Sequence, residues 1–379
     1  MKNLTVIVAG LGWSVLERNC IKRIAGLEFS PAESVFPAVT CVTQASLRTA
    51  LKPQEHGMIS NGVWINELKK PMFWEQSANL VKGKRIWDDS RALGSKVGLF
   101  FFQQSLGENV DAIISPAPIH KHGGGLVMNS YVKPYDLSVK LHKKLGKFPL
   151  HRYWGPFASP KVGRACIDWF EALTDEYDVD DAYLYLPTLD YAAQKYGPGS
   201  KADNAAFTEL CFQIERLVKI CEKRSSKLSI MGDYDITPVT KAPLEPNAIL
   251  RREGLFRTRS VATRAYPDFY SSGAFAVCDH EFCFIVGERR EEACKILLQT
   301  GEYEYSSELG ENYDILLARK GSWCSYKWWS SPSEAPDYAS HVDIHNKPGY
   351  DPTELFFFGR KIVKGTHGRK SIVAKTEVK

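Results

Sequence analysis

The chain has 379 residues, 44% of them hydrophobic, 25% charged and 12% aromatic. That composition excludes a disordered chain, a coiled coil and a collagen-like fibre, and the length can bury a core without disulfides or a structural metal. A net charge of +5 on 49 basic and 44 acidic residues is mild and mixed in sign along the chain, so no nucleic-acid partner is expected.

The first apolar run, Leu4 to Ala9, is too short for a signal core. No run reaches membrane-spanning length, so a cytoplasmic protein with no membrane partner is expected. Nine scattered cysteines show no framework spacing and fit buried, reduced thiols. In chain order, residues 4–8, 97–102, 112–114, 183–186 and 228–231 read as strands, because each is a short, mainly apolar run. Continuous rather than alternating hydrophobicity predicts strands covered on both faces, as in a parallel sheet. Between them, Phe207, Leu210, Cys211, Ile214, Leu217, Val218 and Cys221 recur at three and four, predicting a helix over 204–223. The alternation gives an α/β sandwich, whose chemistry belongs beyond the carboxyl ends of its strands. After about residue 240 shorter strand candidates surround one helix at 291–300. The expected organisation is therefore one α/β domain over 1–379, with a small α+β subdomain over 245–330 and a basic tail over 360–379. The run from Gly359 to Lys379, rich in Lys and Arg, is expected to be frayed and solvated.

Three segments carry a further signal. They are Phe36-Pro37-Ala38-Val39-Thr40 followed by His56-Gly57-Met58-Ile59-Ser60-Asn61, then Leu186-Pro187-Thr188-Leu189-Asp190 through Pro198, and Gly232-Asp233-Tyr234-Asp235. Their order resembles the type I phosphodiesterase/nucleotide pyrophosphatase family of the alkaline phosphatase superfamily, which reads F-P-x-x-T, H-G-I-x-x-N, P-D-x-x-G-H, S-D-H-G and H-G-Y-D. It looks closest to a divergent bacterial and algal branch. The resemblance implies an alkaline-phosphatase-like three-layer sandwich with a mainly parallel central sheet. It also implies a hydrolase for phosphate esters or pyrophosphates, acting on a phosphorylated small molecule.

Carried over by position, Thr40 stands where the family has its nucleophile, and Asn61 where an asparagine holds a phosphoryl oxygen. Asp190 and Asp233 stand at metal-ligand positions. A hydroxyl at a strand-to-helix junction can face the helix's free N–H groups, which favour a phosphoryl anion. It attacks only if a base or metal activates it. Read alone, Thr40 also fits a helix N-cap, Asn61 a turn residue, and the two aspartates strand-end caps.

The departures are heavy. Ala9, Gln194, Tyr234 and Pro348 occupy places where the family has metal ligands. His345, just upstream of Pro348, is a candidate replacement that with Asp190 and Asp233 would hold one divalent ion, zinc first, with manganese or iron as alternatives. The expected function is a metal-dependent phosphoester hydrolase with a threonine nucleophile. The alternative is a metal-free binding or scaffold protein on the same fold.

Overall fold

The computed structural model describes residues 1–155, 157–310, 312–336 and 364–376. They fall into two compact units. The first comprises Met1–Met58, Trp74–Ile236 and Lys370–Lys379, and the second Ile59–Phe73 and Thr237–Arg369. Residues 245–330, the span expected to form an α+β subdomain, fall in the second range.

The first unit is built on a nine-stranded sheet. Its strands are β1 (Asn3–Val8), β2 (Arg23–Ile24), β3 (Leu27–Glu33), β4 (Val97–Phe100), β5 (Ala112–Ser115), β6 (Tyr131–Lys133), β7 (Asp181–Leu186), β8 (Lys227–Gly232) and β9 (Ile372–Thr376). Their order across the sheet is β6-β5-β4-β7-β1-β8-β9-β3-β2. The five strands from β5 to β8 run parallel, and β6, β9 and β2 join antiparallel to their neighbours. Every residue of β4 and β5 is buried, which is the both-face coverage that their unbroken hydrophobicity predicted. All five expected strands of the first unit are present, with borders shifted by a residue or two.

Two long helices pack against the sheet and each other. Helix α2 (Val162–Glu176) buries Cys166, Ile167, Trp169, Phe170 and Leu173, and Phe170 meets Phe100 edge-on at 5.2 Å. Helix α4 (Lys201–Arg224) buries Phe207, Leu210, Ile214, Leu217 and Cys221 at the spacing read from the sequence. Burial of each such side chain contributes about 1.5–3 kcal/mol. Ser200 starts α4 by accepting the Asp203 N–H, and Ser225 ends it in the left-handed conformation. All nine cysteines are free thiols. Among the described residues no helix is long and apolar enough to cross a membrane.

One expectation is overturned. Residues 372–376, read as part of a frayed basic tail, form β9 and pair with β3 over Ile372–Thr376. The apolar Val373 and Ala374 are buried, while Lys370 pairs with Glu33 at 3.0 Å. Two buried apolar residues suffice to seat a strand that the surrounding charge disguises.

The second unit contains an antiparallel hairpin of Gly62–Ile65 with Lys70–Phe73 and a four-stranded antiparallel sheet. That sheet orders Phe275–Asp279, Phe282–Val286, Asp314–Ala318 and Tyr303–Ser306, with the helix Arg290–Gln299 against it.

Candidate active site

The register of the central strands decides where the site lies. Val8 at the end of β1 is level with Leu186 of β7 on one side and Gly232 of β8 on the other. The three chains therefore leave the sheet side by side, and the residues that follow them share one edge. Ala9 and Gly10 follow β1, Asp190 follows β7 after a short turn, and Asp233 follows β8 directly.

Thr40 is the first residue of helix α1 (Thr40–Thr49). The N-cap of that helix is Val39 in an extended conformation, so Thr40 is not the cap that its residue type allowed. Its hydroxyl oxygen instead lies 3.3 Å from the Tyr234 hydroxyl. The first turn of α1 also directs N–H groups and the positive end of the helix dipole past Thr40, an environment that favours an anion.

Asp190 opens helix α3 (Asp190–Tyr196). Its Oδ1 accepts the Tyr234 hydroxyl at 2.9 Å and the Gln194 side-chain amide at 2.5 Å. Gln194 reaches it because residues four apart share a helix face. Asp233 is buried: Oδ1 accepts the backbone N–H groups of Gly10 at 3.0 Å and Tyr234 at 2.9 Å, and Oδ2 accepts the Tyr185 hydroxyl at 2.8 Å. Burial pushes the Asp233 carboxyl up to about 8, against those three hydrogen bonds, which favour the charged form. Burial likewise holds the phenols of Tyr234 and Tyr185 well above their ordinary value, so both keep their protons.

The structure thus brings together Thr40, Asp190 and Asp233, with Tyr234 touching all three: hydroxyl to Thr40 and Asp190, backbone N–H to Asp233. His345 lies outside the described residues. Asn61 belongs to the second unit, where its backbone N–H and side-chain amide both donate to Asp279, at 2.7 and 3.1 Å, beside Ser60, whose hydroxyl donates to the same carboxylate at 2.9 Å. The motif residue His56 is structural: Nδ1 accepts the Met58 N–H at 3.1 Å, and Nε2 lies 2.8 Å from the Ser46 hydroxyl of α1.

The divalent ion expected from the sequence finds a poor match here. A cation requires carboxylate lone pairs and imidazoles. At this edge Gln194 and Tyr234 instead aim an N–H and an O–H at Asp190, and Asp233 is filled by two N–H groups and a phenol. Among the described residues no three His, Cys, Asp or Glu side chains are grouped to hold a metal.

Sequence reasoning passed over two features. Tyr185 lies inside an apolar strand and reads as core. His367 of the second unit stacks on His280 with 3.6 Å between ring centres, and lies within the stretch assigned to the tail. Its signal was a histidine between Thr366 and Gly368, directly after a short strand.

A family profile described as type I phosphodiesterase/nucleotide pyrophosphatase matches residues 3–351. Among curated proteins no sequence match is found. Among solved structures, murine ectonucleotide pyrophosphatase/phosphodiesterase 5 is similar, with a TM-score of 0.56 and 14% identity over 99% of this chain and 87% of that one. An inactive form of it in complex with AMP has a TM-score of 0.57 at the same identity and coverages. Phosphonoacetate hydrolase from Sinorhizobium meliloti 1021, in complex with phosphonoformate, has a TM-score of 0.60 and 14% identity over 99% and 89% of the two chains. At such identity these neighbours speak for the fold.

Proposed function

The chain belongs to the type I phosphodiesterase/nucleotide pyrophosphatase family, and on that premise we propose that it is a hydrolase of phosphate esters or pyrophosphates in which Thr40 attacks phosphorus. The observation that carries this reading is the placement of the Thr40 hydroxyl. It opens a helix at the carboxyl edge of the sheet, within 3.3 Å of a phenol that is itself bonded to a carboxylate. Attack would form a Thr40–O–P bond and break the bond from phosphorus to the leaving oxygen, and water would then cleave the phosphothreonine. The N–H groups at the start of α1 favour the charge that gathers on the phosphoryl oxygens. Asn61 keeps its assignment as a phosphoryl contact on the family motif alone. No step is assigned to a cation. The substrate is a phosphorylated small molecule, and the proposed location is cytoplasmic.

The test is hydrolysis of 4-nitrophenyl phosphate and bis(4-nitrophenyl) phosphate by the full chain. Turnover should disappear in Thr40→Ala, and an acid-quenched wild-type sample should show a phosphate adduct on the Thr40 peptide by mass spectrometry. Undiminished turnover in Thr40→Ala refutes the role. A second reading, ligand binding without turnover, is favoured by the closed hydrogen bonding of Asp190 and Asp233. It predicts AMP binding with no ester cleavage, unchanged by Thr40→Ala.

A further inference from the structure

We infer that the Tyr234 hydroxyl, and not a bound cation, is the group that acts on Thr40, so that this site works without a divalent ion. The inference rests on the reading of Thr40 as the attacking hydroxyl and names what activates it. The ground is the donor chemistry of the site. A family ligand position is filled here by a residue that brings a proton rather than a lone pair to Asp190.

The directions of the hydrogen bonds define a relay. A phenol has one proton, and Tyr234 donates it to Asp190 Oδ1 at 2.9 Å. Its oxygen is then the acceptor facing Thr40 Oγ1 at 3.3 Å. As Thr40 attacks, its proton passes to the Tyr234 oxygen while the Tyr234 proton passes to Asp190. The Thr40 oxygen bonds to phosphorus, and the leaving oxygen departs with the electron pair of the broken bond. The proton held on Asp190 is available to neutralise that leaving group. In the second half, water gives its proton along the same path in reverse, and Thr40 regains its hydroxyl. Atoms and charge balance with water as the only co-reactant. The relay is held rigidly: Tyr234 is fully buried, its backbone N–H is tied to Asp233, and Gln194 fixes the Asp190 carboxylate from the next turn of α3.

Two measurements decide the matter. The first is calorimetric titration of chelator-treated full-length protein with zinc chloride and with manganese chloride. The expected result is that any binding is weak and unchanged by Asp190→Asn. One ion per chain bound at micromolar or tighter affinity and lost in Asp190→Asn overturns the inference, whether or not any ester is turned over. The second is nitrophenyl ester turnover in the presence of EDTA. Wild-type turnover should persist, and Tyr234→Phe should lower kcat by on the order of 10²–10⁴-fold, the range for a lost proton-transfer group. Asp190→Asn keeps the shape of the partly exposed carboxylate and should show a similar loss, which covers the case that Tyr234→Phe fails to fold. Turnover that EDTA abolishes, or that survives both substitutions, overturns the relay. If wild-type protein cleaves no ester, the hydrolase reading and the relay fall together, and the titration still decides whether Asp190 takes a cation.

Discussion

Acidification should weaken the first unit through His56, and the size of the effect follows from its surroundings. His56 is fully buried, and its Nδ1 is committed as acceptor to the Met58 N–H. Burial first, and then the positive charges of Arg48 and Arg85, lower its pKa from 6.5 to about 4. The unfolded chain therefore binds a proton at a pH where the folded chain does not. The stability His56 contributes is complete above pH 6.5 and is lost as the pH falls towards and through 4. Between pH 7.5 and pH 5 the difference is about 2 kcal/mol. Asp233 works the other way, since its folded pKa is raised to about 8 and its neutral form is favoured in the fold as the pH falls. The His56 contribution must therefore be read as a difference. Urea midpoints of wild type and His56→Gln, measured at pH 7.5, 6 and 5, cancel the Asp233 contribution common to both. The variant should be the less stable at pH 7.5, and the gap should close by about 2 kcal/mol at pH 5. A gap independent of pH would falsify the assignment of His56 as a neutral, buried strut between α1 and the following loop.

Two further substitutions test the packing behind the site. Glu108 is buried against the wholly buried Arg48 at 3.2 Å and against Arg85 at 3.0 Å. Glu108→Gln leaves the Arg48 charge uncompensated at the far end of α1 and should destabilise by about 3–5 kcal/mol, visible as a lowered thermal midpoint. Gly232 ends β8 where an added Cβ would sit 1.9 Å from the Leu11 carbonyl oxygen, a backbone atom that cannot swing aside. Gly232→Ala should cost about 3 kcal/mol in urea unfolding and displace Asp233 beside it; an unchanged midpoint would contradict the close approach.

The parallel strands were legible because burial on both faces removes the polar alternation that otherwise marks a strand: Val97–Phe100 is apolar throughout and buried throughout. Placing Asp190 and Asp233 at one edge needed only the rule that loops after parallel strands share an edge. The partners of those carboxylates were not legible. Tyr185 sits in an apolar run, and nothing local distinguishes a core tyrosine from one whose hydroxyl ends on the carboxylate that follows β8. Tyr234 was visible only as a missing histidine, because its contacts to Thr40 and Asp190 span 194 and 44 residues of sequence. Strand β9 escaped for the opposite reason. Its local composition is charged, and its strand character comes from the slot between β8 and β3 that receives it.

That slot has a consequence for how the chain is made. Strand β8 ends at Gly232 and β9 begins at Ile372, and the larger segment of the second unit, Thr237–Arg369, lies between them. During synthesis, the facing edges of β8 and β3 stay open for the time needed to translate about 140 residues, on the order of ten seconds at ribosomal speed. Open strand edges recruit other chains, so the nascent protein passes through an interval in which its central sheet is divided and adhesive. Expression yield should then depend on chaperone supply and on translation speed through 237–369 more than on the stability of the finished fold.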